Sequence, residues 1–511
     1  MTLADVIARA AERHPDAEAV VAGARRYTYA EWNERINRVT RRLGELGLAR
    51  GDHVVLLLKN REEHAAMYWA CQSLGAIATP LNWRYSAAEI EYCATDAEAV
   101  ALVFEAASRS AALAARPLLS TVRAWIAIDD APDGVTPFEW LAQGRGDPGS
   151  PEGPVDDGDV SIMLYTSGTT GRPKGVPRTH RNEWAAAIAH IIQSGNALAD
   201  RTLAVMPLYH TMGVRSMIAM ALLNGCLVCL PDWSPAAAAA AIDAEQVNAL
   251  YLVPTLYHDL LALPDLDRHD LGSVRKLGYA GAPMSTTLCQ RLAERFRPDV
   301  FVNHLGSTEV YTHTVCNRVM QKPTCAGRPG VFGRARVVRA DPERQGSPDA
   351  LVPRGQTGEL IVSLDSPEAF AGYWRRPDAD ARALRNGWYF TGDLVYEDVD
   401  GDIYTVGRVD DMIISGGENI YPIEVEDVLL RHADVAEACV LGMPDERLGQ
   451  VVTAFVVRRA PTLTAEDLDA FCLTAPGFAG FKRPRRYEFV ETLPRSPTGK
   501  LLRRVLVEQR R

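Results

Sequence analysis

The stretch of this chain richest in chemistry is YTSGTTGRPKG, residues 165–175, a run of hydroxyls and glycines with one lysine near its end. It follows SIMLY, an apolar strand-like run, and a helix is predicted to begin near Arg181. A strand feeding such a loop can offer several backbone N–H groups and hydroxyls to one anion. Lysine adds a point charge that suits phosphate. The Walker A pattern is not met, because Lys174 follows Pro173 and precedes Gly175. The same residues also suit a plain surface loop, and the loop alone leaves both readings open. The Cys226-Leu-Val-Cys229 pair lies inside the apolar run CLVCL, with no second ligand pair spaced for zinc. It predicts buried free thiols in a strand.

The elements that would position such a loop can be read from periodicity. Between about residues 50 and 350, HVVLLL, AVALVF, LAVMPL, CLVCLP, ALYLVP and KLGYAG read as buried strands. EWAAAIAHII and SPAAAAAAIDAEQV read as helices between them. The alternation predicts α/β layering with mostly parallel sheets. Residues 129–159, rich in Pro, Gly and Asp, read as a loop region that delivers the chain to SIMLY. After Arg408-Val409-Asp410-Asp411 the pattern changes to IEVEDVLLRH, EACVLGMP, VVTAFVVRR and TAEDLDAFC, enough for a small α+β domain. The expected division is therefore 1–409 and 410–511, with a hinge near Asp410.

Composition narrows the function classes. A chain of 511 residues calls for two or more domains. Its net charge of −10 argues against a broad nucleic-acid surface. The N-terminus reads as an amphipathic helix rather than a secretory signal, and no apolar run approaches the roughly 18 residues that cross a bilayer. The expectation is a cytoplasmic protein without a membrane partner.

Taken together, the segments resemble the adenylate-forming superfamily, which comprises acyl- and aryl-CoA ligases, peptide-synthetase adenylation domains and firefly-type luciferases. YTSGTTGRPKG is similar to its signature loop. In the expected order follow MPLYHTMG (206–213), GYAGAP (278–283), NHLGSTE (303–309), YFTGD (389–393), GRVDDMIISGGENIYPIEVE (407–426) and PRSPTGKLLR (494–503). The resemblance spans nearly the whole chain. It implies a large N-terminal domain of layered sheets with a β-barrel-like part, and a small mobile C-terminal domain. It also implies ATP, Mg²⁺ and coenzyme A as the small molecules handled.

Site roles follow from the resemblance alone. Thr166, Ser167, Gly168, Thr169, Thr170, Gly171 and Lys174 would clasp the β/γ-phosphates. Gly281, Ala282 and Pro283 would lie beside adenine. Thr308 would touch the α-phosphate and Glu309 would hold Mg²⁺, a hard cation that prefers carboxylate oxygen. Asp393, with Arg408, would take the ribose hydroxyls, and Lys500 would serve the adenylation step. Asp410 is the implied pivot, after which Gly416 and Gly417 would let a pantetheine arm approach closely. Leu305 departs from the pattern, since the family usually stacks an aromatic ring on adenine there.

The C-terminal third resembles the 4-chlorobenzoate and benzoate class most, which implies an aromatic acid. Met206, His210, Met212, Val214, Asn303, Val310 and Tyr311 are the expected acyl-pocket residues, with His210 beside the carboxylate. Phe481, Arg483 and Arg485, in GFKRPRRYEF, suit the nucleotide end of CoA, since guanidinium groups match phosphate. Arg215, in the apolar run VRSMIAMALL, is expected to snorkel or to pair with a carboxylate. The alternative is that it faces the pocket and recognises a polar substituent or second carboxylate. Competing readings are a medium-chain or dicarboxylic acyl-CoA ligase, a stand-alone enzyme loading a carrier protein, and an inactive nucleotide-binding homologue. No carrier arm site follows Lys500, and a homodimer is allowed by analogy with relatives.

Overall fold

A computed structural model describes residues 2–144, 154–166, 172–341, 343, 345–415, 418–476, 478–495 and 501–508. They form two compact units. The larger comprises residues 1–334 and 363–387, the smaller residues 335–362 and 388–511.

The larger unit is built on two layered sheets. One runs Thr136–Pro137, Ala124–Ala127, Ala101–Phe104, His53–Leu57, Ile77–Pro80, Val160–Thr166, Lys174–Thr179. Its pairs are parallel except the last, which is antiparallel. All of His53–Leu57 is buried, as expected where helices cover both faces of a parallel sheet. The side chains alternate between two cores. Val54 and Leu56 join a core with helices Tyr29–Glu45, Glu62–Leu74 and Thr211–Leu222. Val55 and Leu57 join the opposite one, with helix Ala87–Asp96.

The second sheet carries Val300–Leu305, Lys276–Ala280, Ala249–Leu252, Arg201–Ala204, Cys226–Cys229 and Glu18–Ala22 as parallel neighbours. Leu227 and Cys229 of this sheet share the first core with Leu164 of the other, so the helices between them are packed on both sides. Cys226 and Cys229 are buried free thiols, as the sequence predicted. Burial pushes the Cys226 thiol up to about 12.

In the smaller unit, Ala335–Val338, Gly358–Ser363, Trp388–Glu397 and Ile403–Arg408 are successive neighbours. This set lies before residue 410, so the compact unit begins earlier than the division read from the sequence. A long hairpin, Val435–Asp445 against Gly449–Arg458, forms the centre of its second sheet, and Arg486–Phe489 adds in parallel. Helices Pro422–Leu429 and Ala465–Thr474 cover one face through Val425, Leu429, Leu468 and Cys472.

Candidate active site

The loop lysine and the candidate magnesium ligand, distant in sequence, meet through one tyrosine. Lys174 opens the strand Lys174–Thr179, in register with Thr166 at the end of Val160–Thr166. Its ammonium sits 3.9 Å from the centre of the Tyr373 ring. The Tyr373 hydroxyl donates to Glu309 Oε1 at 2.7 Å. Sequence reasoning did not single out Tyr373; nothing in AGYWRRP marks it, and only folding brings residue 373 to strand 174–179.

Glu309 is buried, 6% exposed, and its backbone is fixed from two directions. The Phe370 N–H donates to its carbonyl at 2.9 Å. Arg178 Nη1 donates to the carbonyls of Thr308 (3.0 Å) and Glu309 (3.4 Å). Arg178 is itself fully buried, ion-paired with Glu183, and its guanidinium lies 3.6 Å from the Tyr311 ring centre. Tyr311 Oη donates to Glu183 Oε2 at 3.1 Å. An added Cβ at Gly306 would lie 2.0 Å from the Tyr311 carbonyl oxygen, so this loop requires glycine there. The loop carrying Thr308 and Glu309 is thus clamped by a buried ion pair.

Glu309 Oε1 accepts from Tyr373, while Oε2 accepts no hydrogen bond among the described residues. A buried carboxylate with one oriented and one unengaged oxygen fits a hard cation. At the end of strand Lys276–Ala280, Gly281 has φ of 84°, and Gly281, Ala282 and Pro283 are exposed.

His210 caps the helix Thr211–Leu222, where the Met212 N–H donates to its Nδ1 at 3.4 Å. The imidazole therefore stands at a helix N-terminus, which favours negative charge nearby. Met206 and Met212 pack with Tyr251, Val253 and Ala280 in one apolar cluster. Val214 and Tyr311 belong to the main core instead. Asn303 spends its amide on the Cys325 carbonyl at 2.8 Å, and Val310 is buried with its backbone bridged to Ala369.

Arg215 does not snorkel, and it makes no ion pair with a carboxylate among the described residues. It is 2% exposed and bonded to the Tyr251 hydroxyl, with longer contacts to the Tyr311 carbonyl and Thr312 Oγ1 (3.4 Å each).

In the smaller unit, Arg408 Nη1 and Asp393 Oδ1 are 2.5 Å apart across an antiparallel register pair. The Asp393 carboxylate raises the Arg408 guanidinium pKa further. Gly392, at φ of 76°, donates its N–H to Glu359 Oε1 at 3.0 Å, which fixes the turn in YFTGD. Asp410 is exposed in the short turn Val409–Asp411. A cavity of about 560 Å³ is lined by Ser415, Asp445, Arg447, Phe481, Arg485 and Arg486, among others. Arg483 is instead held by Asp469 (2.8 Å), and Lys482 is paired with Glu424. Ser167, Gly168, Thr169, Thr170, Gly171, Gly416, Gly417 and Lys500 lie outside the described residues.

Comparison with known proteins decides the family. Residues 7–374 match the family model for the AMP-binding enzyme, and residues 424–500 match that for the AMP-binding enzyme C-terminal domain. The chain belongs to the AMP-binding enzyme family. This AMP-binding enzyme is 36% identical over 503 residues to a feruloyl-CoA synthase of an Amycolatopsis species, covering 97% of this chain and 96% of that one. It is 33% identical to a 4-chlorobenzoate–CoA ligase of an Arthrobacter species, covering 99% and 95%. The solved structure of a Mycobacterium tuberculosis fatty acyl CoA synthetase superposes with a TM-score of 0.79 at 30% identity, covering 99% and 98%. The adenylate-forming superfamily resemblance is therefore correct, and this AMP-binding enzyme is an AMP-forming acyl/aryl-CoA synthetase. The acids named for these relatives differ. No helix among the described residues is long and apolar enough to cross a membrane.

Proposed function

We propose that the chain is a cytoplasmic, ATP-dependent ligase that joins an aromatic, benzoate-like acid to coenzyme A through an acyl-adenylate. The observation that carries this reading is the Lys174–Tyr373–Glu309 arrangement beside the signature loop. The apolar cluster of Met206, Met212, Tyr251, Val253 and Ala280 supports an aromatic ring, and methionine adapts to irregular shapes.

In the first half-reaction a carboxylate oxygen attacks the α-phosphorus of ATP and the bond to pyrophosphate breaks. Nucleophile and electrophile are both anionic, so catalysis rests on positioning and charge neutralisation. Residues 166–171 and Lys174 hold the β/γ-phosphates, and Thr308 contacts the α-phosphate. His210 steadies the attacking carboxylate at the helix N-terminus. Asp393 and Arg408 take the ribose, with Gly281, Ala282 and Pro283 beside the base. Glu309 would hold Mg²⁺, which supplies neutralisation of phosphate charge when bound. Lys500 acts in this step only.

In the second half-reaction the CoA sulfur attacks the acyl carbon and loses its proton, and the bond to AMP breaks. Asp410 is the pivot on which the C-terminal residues turn between the steps. Approach of the pantetheine arm is assigned to Gly416 and Gly417. The cavity at Phe481, Arg485 and Arg486 accepts the nucleotide end of CoA, near Arg483, which is held by Asp469 in the same segment.

The test is release of pyrophosphate and AMP from ATP and Mg²⁺ across benzoates, cinnamates, fatty acids and diacids, with and without CoA. A CoA-dependent response to aromatic acids is expected. A response to chain acids alone would overturn the aromatic part, and silence on every acid would overturn the ligase reading. Lys500→Ala should abolish acyl-AMP formation while sparing thioester formation from supplied acyl-AMP. Equal loss of both would refute the two-step division of labour.

A further inference from the structure

A group of buried polar side chains surrounds Arg215, and the mechanism above uses only one of them, the ring of Tyr251. Arg215 comes from helix Thr211–Leu222, His190 from helix His180–Ser194, and Tyr251 from strand Ala249–Leu252. His304 comes from strand Val300–Leu305, and Glu368 from a turn just before Ala369. His190 and His304 lie 4.8 and 5.5 Å from the Tyr251 ring, centre to centre. All five residues are buried, and Glu368 is 0% exposed.

The hydrogen bonding of this group is incomplete. Among the described residues, Arg215 Nε and both nitrogens of His304 are buried without a hydrogen-bond partner. Folded proteins rarely leave such groups unmet, and an unpaired buried charge is among the costliest. No carboxylate among the described residues lies within ion-pair distance of Arg215. Its contacts are a phenol, a carbonyl and a threonine hydroxyl.

The group abuts the expected acyl pocket. Tyr251 belongs to the Met206–Met212 cluster on one side and bonds Arg215 through its hydroxyl. Arg215 stands three residues past Met212 and four past Thr211, so all three share a helix face. It is five residues beyond the capping His210, a rise of about 7–8 Å along the axis. A substrate held by its carboxylate at His210 and seated on Met206 and Met212 would present its far end towards Tyr251 and, through it, Arg215.

We propose that Arg215, with Tyr251 and His304, receives a second oxygen group on the substrate acid, an anionic carboxylate by preference. This rests on the ligase reading above and names the acid within it: a ring bearing an oxygen acceptor opposite the reacting carboxylate, rather than a plain apolar ring. Glu368 accommodates the arriving charge. Burial raises its carboxyl to about 7, opposed by Arg215 and Arg178, so it takes up a proton and becomes a donor. Arg215 is brought down to about 10 by burial and stays cationic at neutral pH.

The experiment compares kcat/KM of the full-length enzyme for 4-carboxybenzoate, 4-hydroxybenzoate, 4-methylbenzoate and benzoate, in wild type and Arg215→Met. At least one oxygenated acid should exceed the methyl isostere tenfold or more in wild type. A lead for 4-carboxybenzoate identifies the occupant as anionic, and a lead for 4-hydroxybenzoate identifies it as neutral. Arg215→Met should collapse that ratio while benzoate turnover stays within a few-fold. Should the variant fail to fold, wild-type selectivity alone decides. Equal or better use of the methyl and unsubstituted acids would overturn the proposal and leave the ligase reading intact. Retained selectivity in a folded Arg215→Met would overturn it too. Absence of turnover with all four benzoates would instead overturn the aromatic part of the ligase reading, and this proposal with it.

Discussion

Tyr373 links Lys174 to Glu309, and Tyr373→Phe removes the hydroxyl of that link. The substitution keeps the ring beneath Lys174, at 3.9 Å, and removes only the hydroxyl that donates to Glu309 at 2.7 Å. A hydrogen bond to a charged group contributes about 1.5–3 kcal/mol. At about 1.4 kcal/mol per tenfold, that is a loss of roughly 10- to 100-fold. A partner that orients a metal-binding carboxylate costs a similar factor of about 10–100 when removed. The loss should appear in pyrophosphate release as a lower kcat/KM for ATP and a higher Mg²⁺ requirement, with Tm nearly unchanged. Tyr373→Leu should lose more, because the cation–ring contact adds about 0.5–2 kcal/mol. If Tyr373→Phe matched wild type within twofold in both kcat/KM and Mg²⁺ midpoint, Tyr373 would be packing and not positioning.

Other consequences can be checked separately. Arg178→Met leaves Glu183 buried without its partner; a destabilisation of about 3–5 kcal/mol is expected in urea, and a shift below 1 kcal/mol would deny the clamp. Burial raises the Glu368 carboxyl from 4.5 to about 7, so the folded chain binds its proton more tightly than the unfolded chain. Its contribution is complete below about pH 4.5 and lost as pH rises through 7. The stability of wild type relative to Glu368→Gln should thus fall by on the order of 3 kcal/mol over that window; a flat difference would contradict it. Arg485→Ala should raise the KM for CoA about tenfold and leave acyl-AMP formation unchanged, as loss of a charged phosphate contact implies; equal loss in both half-reactions would deny the CoA role.

Much of the scaffold was legible because its strands are local. HVVLLL, CLVCLP, ALYLVP and KLGYAG became His53–Leu57, Cys226–Cys229, Ala249–Leu252 and Lys276–Ala280. LAVMPL was strand only in its first part, since Arg201–Ala204 ends where the chain turns towards His210. The amphipathic N-terminus kept its helix only over Val6–Arg13 before joining a sheet at Glu18–Ala22. The motifs marked Lys174, Glu309, Asp393 and Arg408, but not what holds them. Tyr373 reaches Glu309 across 64 residues of sequence, and Arg178 reaches Thr308 across 130. The Arg215 group was less legible still. It gathers single residues at 190, 215, 251, 304 and 368, each a plausible core residue alone. Only parallel pairing of the second sheet, with two helices laid on it, brings them together.

The central claim is that the acid is activated as an adenylate, and an isotope tests it without any variant. The acid is supplied with ¹⁸O in both carboxylate oxygens, together with ATP, Mg²⁺ and CoA, and the products are weighed by mass spectrometry. Attack of the carboxylate on the α-phosphorus followed by thiolysis predicts one ¹⁸O in AMP and none in pyrophosphate. Label in pyrophosphate, or AMP without label, would contradict the account.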